Sequence, residues 1–405
     1  MKYINGGVCA PKGFKAGGVH CGIRHNRTKK DLMMIVADDL CVAASVYTQN
    51  LAAGAPIKVT KEHLQNSMAK AIITNSGIAN TTTHDGEENA KIMCEMAAKI
   101  ADCDVADVIV ASTGVIGQPL PTEPILAAEN ALREALSENG AECAAKAIMT
   151  TDTFPKQYAI EFEIGGKICK IGGMAKGSGM INPNMATMLC FITTDVEISV
   201  DCLNRALKSA CDVTLNMVSV DGDTSTNDMT SILASGLVGN EKICDLNSDD
   251  YTTFENALIE ILTKLARDIA RDGEGATTLI ECIVSGALCD KSARTIAKTI
   301  INSSLVKAAI FGKDANWGRV ICAAGYAGVD FDVDLVDISF KSEFGEIKVC
   351  ENGKGLQFDE DLALKILESD EVKILVDLKQ GKFFATAWGC DLTYDYVKIN
   401  GDYRT

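Results

Sequence analysis

The sequence predicts a mixed α/β fold with large mixed sheets and helical layers outside them. Two runs rich in β-branched residues, "KAIITNSG" (70–77) and "DVIVASTG" (107–114), each end in glycine, as buried strands do. The segment "EENAKIMCEMAAKIA" between them has apolar residues at helical spacing and two glutamates in its first turn, where the helix dipole favours them. Alternation of strands and helices is typical of α/β proteins.

The other elements are predicted in the same way along the chain. The segment "PTEPILAAENALREAL" indicates one helix capped by Thr122, and the region from Gln157 to about residue 195 is rich in strand patterns. Three further helical stretches begin at Val200, Tyr251 and Asp290. The C-terminal part is predicted to be strand-rich around one short helix, "EDLALKIL", with "YDYVKI" (394–399) as a strand.

Composition excludes several classes of function. The net charge of -16 disfavours a nucleic-acid or anionic-membrane surface, since both require a cationic patch. No segment approaches the roughly 20 apolar residues of a membrane-spanning helix, and the N-terminus lacks the apolar core of a signal peptide. The 16 cysteines are scattered without any CxxC pair, which predicts reduced, mostly buried thiols rather than a disulfide framework or a metal site. We therefore expect a cytoplasmic protein.

Histidine is scarce, which limits the catalytic apparatus. The four histidines all lie at or before His84, and His84 itself is predicted to be a polar loop residue. A Ser-His-Asp or Cys-His site is therefore disfavoured, because it needs an imidazole beside the nucleophile. The glycine-rich stretches "GGMAKGSG" and "DGEGATT" lack the spacing of nucleotide-binding loops, so a nucleotide-binding loop is not expected.

A different base is available if the chain cuts itself before Thr187. The flexible stretch "GGMAKGSGMINPNMAT" ends at Ala186 and Thr187, directly before an apolar strand. Attack of the Thr187 hydroxyl on the Ala186 carbonyl, followed by hydrolysis of the ester, would leave Thr187 at a new N-terminus. Its α-amine, with a pKa of about 7.7 to 8.0, could then act as the base. From this motif alone, the favoured interpretation of Thr187 is an ordinary β-forming residue at a strand edge.

Motifs along essentially the whole chain resemble the ornithine acetyltransferase family, the bifunctional glutamate N-acetyltransferases of arginine biosynthesis. The stretch "KGSGMINPNMATML" is similar to the family's self-cleavage segment. The other similar stretches, in family order, are "GVCAPKGFKAGG", "STGVIG", "VSVDGDTSTND", "RDGEGAT", "DANWGRV" and "INGDYRT".

The resemblance implies a role for each matching residue. Thr187 would be the nucleophile, exposed by autocatalytic cleavage after Ala186 and acetylated as an ester during turnover. Thr113 and Gly114 match the family's oxyanion-hole pair. The positions that match the family's substrate contacts are Thr150, Lys176, Thr187, Glu274, Asn400 and the C-terminal Thr405.

The resemblance also implies the fold, the substrates and the assembly. Two sheets would pack between helical layers in an αββα-like, self-cleaved N-terminal-threonine enzyme. An alpha fragment (1–186) with the oxyanion hole and a beta fragment (187–405) with the nucleophile would share one core and assemble as two of each. The acetyl group of N2-acetyl-L-ornithine would pass to L-glutamate with ping-pong kinetics, giving ornithine and N-acetylglutamate. No cofactor would be required, and use of acetyl-CoA as a second donor is left open.

Three departures and two other hypotheses accompany this interpretation. The family usually has Asn at Ile78, Pro at Ala315 and Lys at Thr278, which puts substrate details and loop geometry in doubt.

One alternative function is an aminopeptidase or amidase that uses the same cleaved threonine with water as acceptor. The other is an uncleaved, non-catalytic metabolite-binding protein.

Overall fold

The computed structural model describes residues 1–24, 26, 28–182 and 188–401, so the predicted site residues Ala186, Thr187 and Thr405 lie outside the described residues. The helices are α1 (Ala55–His63), α2 (Gly86–Ala101), α3 (Thr122–Ala127), α4 (Glu129–Ala135), α5 (Ala141–Ile148), α6 (Val200–Val213), α7 (Asp249–Arg271), α8 (Asp290–Asn302), α9 (Ser304–Phe311), α10 (Trp317–Gly325), α11 (Glu360–Leu367) and α12 (Tyr394–Gly401). The strands are β1 (Lys2–Ile4), β2 (Phe14–Val19), β3 (Leu32–Tyr47), β4 (Met68–Ile78), β5 (Val108–Val115), β6 (Lys156–Ile164), β7 (Lys167–Lys176), β8 (Leu189–Thr194), β9 (Val218–Ser219), β10 (Met229–Ala234), β11 (Leu279–Ala287), β12 (Asp337–Ser342), β13 (Gly345–Glu351), β14 (Lys354–Gly355), β15 (Glu371–Asp377) and β16 (Phe383–Cys390).

The strands form two mixed sheets. One sheet has the order β1-β6-β7-β8-β10-β3-β4-β5, with β2 also paired to β3, and the other has the order β14-β13-β12-β15-β11-β16-β9. Helix α7 contacts β6 and β7 of the first sheet and β11 and β16 of the second. The predicted mixed α/β fold, with mixed sheets and packed helices, is confirmed.

Helix α7 shows how local sequence produces an element that both sheets share. The hydroxyl of Ser248 accepts the N–H of Tyr251 at 3.1 Å and so caps the helix, and two aspartates occupy the first turn. Four residues at helical spacing, Leu258, Leu262, Leu265 and Ile269, are fully buried. The helix therefore buries a continuous apolar stripe.

The boundaries of two predicted helices differ from the structure. The segment predicted as one helix from Thr122 is divided into α3 and α4, because Ala128 has φ -86° and ψ 0°, outside ordinary helical geometry. Thr122 is the first residue of α3 and makes no capping hydrogen bond; the N-cap is Pro121. The segment from Asp290 is also divided into two helices, α8 and α9. The Ser303 hydroxyl accepts the N–H of Val306 and so caps the start of α9.

The prediction of a strand at 394–399 is wrong, because this segment forms α12. None of its residues is buried, so its alternation of apolar and polar side chains does not reflect one buried face of a sheet. The hydroxyl of Thr393 accepts the N–H of Tyr396 at 3.4 Å at the start of the helix.

The largest buried core draws on both sides of residue 187. It contains Ile160 and Ile171 from one side and Leu258 and Leu262 from the other. The two predicted fragments would therefore share one core, although the division itself stays a prediction. None of the described helices has the length and hydropathy needed to span a bilayer.

Candidate active site

A cavity of about 120 Å³ collects the predicted site residues that the structure describes. These residues, which come from five separate parts of the chain, are Thr113, Gly114, Thr150, Lys176, Glu274 and Asn400. Met188 and Leu189, directly after Thr187 in the sequence, line the same cavity. The three departures from the family pattern, Ile78, Ala315 and Thr278, are not among its lining residues.

Thr113 and Gly114 lie at the end of β5, and the backbone there requires glycine. Gly114 has φ +136°, and a Cβ on it would lie 2.1 Å from the carbonyl carbon of Gly77, its partner in the neighbouring strand β4. Thr113 is buried, at 8% exposure. Backbone this close-packed can hold an N–H in a fixed direction, which an oxyanion hole needs.

Asn227 anchors the strand that carries this pair, and the sequence did not reveal its role. Its side-chain amide donates to the carbonyl oxygens of Ser112 (3.0 Å) and Ala79 (2.6 Å). Its Oδ1 accepts the hydroxyls of Thr81 and Thr226, both at 2.6 Å. The loop before β10 is thereby fixed to the end of β5.

A buried carboxylate, Asp152, binds the backbone of one cavity residue and the backbone next to another. Asp152 accepts the backbone N–H of Thr150 at 2.9 Å and of Gly177, the residue after Lys176, at 2.8 Å. Lys176 is only 8% exposed. Burial lowers the pKa of its ammonium, an effect that the charges of Asp152 and Asp228 oppose.

Asp152 belongs to a buried ion-pair cluster beneath the cavity. The ammonium of Lys156 lies 2.7 Å from Asp152 and 2.5 Å from Asp272, and the side chains of Lys156 and Asp152 are fully buried. Burial alone would raise the pKa of Asp152, but the charges of Lys156 and Lys176 and its hydrogen bonds outweigh this and hold it at about 2. Asp152 therefore stays ionised and rigid at neutral pH.

Glu274 follows the end of α7 and lines the same cavity. Its N–H donates to the carbonyl of Ser178 at 3.0 Å, and its carboxylate accepts the side-chain N–H of Asn400 at 2.7 Å. A Cβ on Gly179 would lie 2.3 Å from the Glu274 carboxyl carbon, so only glycine allows this approach. The hydrogen bond from Asn400 fastens α12 over one side of the cavity.

The cavity also contains a carboxyl that the sequence did not single out. Asp228 precedes β10, is 2% exposed and lines the cavity with Lys176 and Glu274. Burial raises its pKa well above the usual range, although Ser225 and Lys176 act in the opposite direction. Among its described lining residues, the cavity thus combines one cation with two carboxyl groups.

Residues 180–182, inside the predicted self-cleavage segment and before the predicted cleavage point, are clamped by the loop 219–224. Asp221 accepts the N–H of Met180 at 2.7 Å and of Ile181 at 2.9 Å. Asn182 donates to the carbonyl of Gly222 at 2.8 Å and accepts the Thr224 hydroxyl on its own carbonyl at 2.8 Å. Met180 has φ +55°, a left-handed conformation uncommon for a residue other than glycine. Chain geometry is therefore imposed up to residue 182.

The sequence offered one indication that Asn227, Asp228 and Asp221 are functional. All three lie in the stretch "VSVDGDTSTND", which is similar to a stretch of the family. Polar residues in such a run ordinarily indicate a solvated loop. Only the fold shows that two of them are buried against the cavity.

Together, the fold and the cavity define an α/β enzyme for a small charged metabolite. The chain belongs to the ArgJ family, whose model matches residues 15–405.

Two relatives match the full length of the chain. The arginine biosynthesis bifunctional protein ArgJ of Caldanaerobacter subterraneus subsp. tengcongensis is 49% identical, and the glutamate N-acetyltransferase of Methanocaldococcus jannaschii is 44% identical, each with 100% of both chains covered. The crystal structure of the arginine biosynthesis bifunctional protein from Bacillus halodurans is 46% identical with a TM-score of 0.50, covering 53% of this chain and 98% of that chain. The predicted family and its class, an acyltransferase of arginine biosynthesis, are confirmed.

Proposed function

We propose that this chain transfers the acetyl group of N2-acetyl-L-ornithine to L-glutamate through an acetyl ester on Thr187. The observation that carries this proposal is the single cavity in which the predicted oxyanion pair, a lysine and a glutamate meet. Met188, the residue after Thr187, lines that cavity too. Membership of the ArgJ family and full-length similarity to a glutamate N-acetyltransferase support the reaction class.

The nucleophile in this proposal is produced by cleavage between Ala186 and Thr187. The clamp on residues 180–182 and the strand that begins at Leu189 fix the chain on both sides of the bond. A further support is the length of the Bacillus halodurans chain, nearly all of which matches 53% of this chain. Residues 187–405, 219 of the 405, are a similar share.

Acetyl transfer then proceeds in two half-reactions. The α-amine of Thr187 takes the proton of its own hydroxyl while the oxygen bonds to the acetyl carbon, and the proton passes to the departing ornithine nitrogen. Glutamate reverses the steps with its amine. Donors at Thr113 and Gly114 would stabilise the oxyanion, with an effect of about 3 kcal/mol per donor.

The charges of the cavity fit an amino-acid substrate. A carboxylate and an ammonium on the substrate require an opposite partner each, which Lys176 and Glu274 supply. Asn400 holds the Glu274 carboxylate from α12, and Thr405 would join the site from the same end of the chain.

Under this proposal the enzyme requires no cofactor. Its assembly would contain two alpha and two beta fragments. A cytoplasmic location is supported by the cysteines, all 16 of which are free. Acetyl-CoA would need a separate test as donor.

The test measures both chain length and acceptor. Purified protein is run on a denaturing gel and assayed with N-acetylornithine plus glutamate, with acetyl-CoA plus glutamate, and with amide substrates in water. We expect two fragments and acetyl transfer from N-acetylornithine. Two fragments with hydrolysis alone would indicate the aminopeptidase or amidase, and one intact, inactive chain would indicate a non-catalytic binding protein.

A further inference from the structure

Asp228 is a buried carboxyl that lacks a full set of hydrogen bonds. It is 2% exposed, and its Oδ2 has no hydrogen-bond partner in the described parts of the chain. Buried polar atoms are almost always paired, so an open carboxylate oxygen in a cavity wall requires an explanation. Its position beside Lys176 and Glu274 points to a ligand or a reacting group.

The charges around Asp228 do not fully stabilise its ionised form. Lys176 and Glu274 line the cavity with it. The charges of Asp152, Lys156 and Arg24 in turn affect the pKa of Lys176. Because burial dominates, the pKa of Asp228 stays well above its usual range despite the nearby lysine. One more cation in the cavity would therefore be strongly favoured by this carboxyl.

Cleavage before Thr187 would supply that cation. The carbonyl of Met188 accepts the N–H of Met229 at 2.9 Å, and these two residues directly follow Thr187 and Asp228 in the chain. Met188 and Asp228 also line the same cavity. The new α-amine would belong to the residue bonded to Met188, and Met188 is paired with the residue that follows Asp228.

We propose that Asp228 is a further catalytic residue, the anionic partner of the Thr187 α-ammonium during acetyl transfer. This inference rests on the proposed function. When the amine takes the proton of the Thr187 hydroxyl it becomes an ammonium, and the Asp228 carboxylate stabilises that charge through a hydrogen bond. The ammonium then gives the proton to the departing nitrogen of ornithine. Asp228 forms and breaks no covalent bond, as with the aspartate that stabilises an imidazolium in a catalytic triad.

The test is Asp228→Asn, which keeps the size of the side chain and removes its charge. We expect kcat to fall about 100-fold or more. The acidic limb of the kcat/KM profile should also move to lower pH by about 1 to 3 units, because an ammonium without a carboxylate partner loses its proton more easily. A purely structural role would lower kcat without moving this limb. Asp223→Asn, an exposed carboxylate of the same loop and outside the cavity, is the matched control and should match wild type.

The outcomes separate this inference from the proposed function. Wild-type protein that is uncut or inactive would contradict the proposed function. With active wild type, an Asp228→Asn enzyme whose acidic limb does not move overturns the inference. A folded but uncut Asp228→Asn chain also overturns it, since the amine does not exist before cleavage. If Asp228→Asn does not fold, Asp228→Ser removes the charge with a smaller side chain and carries the same two expectations.

Discussion

The carboxylate of Asp221 accepts the backbone N–H of Ile181 at 2.9 Å, and so ties the residues before the proposed cleavage point to the loop before β10. Its other oxygen accepts the N–H of Met180, which is in a left-handed conformation. We expect Asp221→Ala to slow cleavage about tenfold or more, because small displacements of a reacting bond are costly. The conversion of full-length chain to fragments, followed on denaturing gels after synthesis, measures this.

Asp223→Ala is the control for that experiment, since the exposed Asp223 side chain is not the acceptor of either amide. Once cut, the Asp221→Ala enzyme should retain a kcat within severalfold of wild type. Equal cleavage half-times for wild type and Asp221→Ala would remove the positioning role of the clamp.

Substitution of Gly114 should abolish transfer. A methyl group there would collide with the carbonyl carbon of Gly77 at 2.1 Å and strain a backbone at φ +136°. The oxyanion donors would shift, and we expect kcat for acetyl transfer to fall about 100-fold or more in Gly114→Ala. Steady-state kinetics on cut enzyme provide the measurement.

Gly117→Ala separates backbone strain from displacement of the donors. Gly117 has φ +81° in the same segment, but the nearest atom to an added Cβ is the Thr82 hydroxyl oxygen at 3.9 Å. This variant should lose some stability and little kcat. A similar loss of kcat in both variants would show that the close approach of Gly114 to Gly77 is not what matters.

Lys156→Met should be strongly destabilising. It would leave Asp152 and Asp272 as buried, unpaired carboxylates, at a cost of about 3 to 5 kcal/mol in the free energy of unfolding. Urea unfolding in a Thr187→Ala background, in which the chain is expected to stay uncut, measures the change. The exposed pair Lys2–Glu161 is the control, and Lys2→Met should cost less than about 1 kcal/mol.

The same ion-pair cluster, Lys156 with Asp152 and Asp272, predicts how the free energy of unfolding depends on pH. The pKa of Asp152 in the folded protein is about 2, below the value of about 3.9 in an unfolded chain. The unfolded state therefore binds more protons in this range, so the contribution of Asp152 is complete above about pH 4 and is lost as pH falls towards 2. Urea unfolding between pH 5 and pH 3 should show a steeper loss in the Thr187→Ala background than in the same background with Lys156→Met. Equal slopes would contradict this assignment.

Periodic apolar patterns predicted the elements that bury one clear face. Helix α7 and strands β4 and β5 were predicted within a few residues, because each contributes a continuous apolar surface to the core. Helix α12 was mistaken for a strand, since none of its residues is buried and its pattern carries no information about packing.

The site was predictable only where residue types matched a known motif. Thr113, Lys176 and Glu274 were named from the sequence and meet in one cavity. The supporting polar residue Asn227 was not predicted, because its partners are distant in the chain: Asn227 binds Ala79, 148 residues away. Burial and pairing of this kind arise only from the fold.

Cleavage between Ala186 and Thr187 is tested most directly by intact mass and N-terminal sequencing of fully active enzyme. We predict two species, residues 1–186 and residues 187–405, with threonine as the new first residue. Thr187→Ala should remain uncut and inactive, and Thr187→Ser should retain some processing. A single chain of 43.1 kDa that carries full acetyl-transfer activity would contradict the proposal.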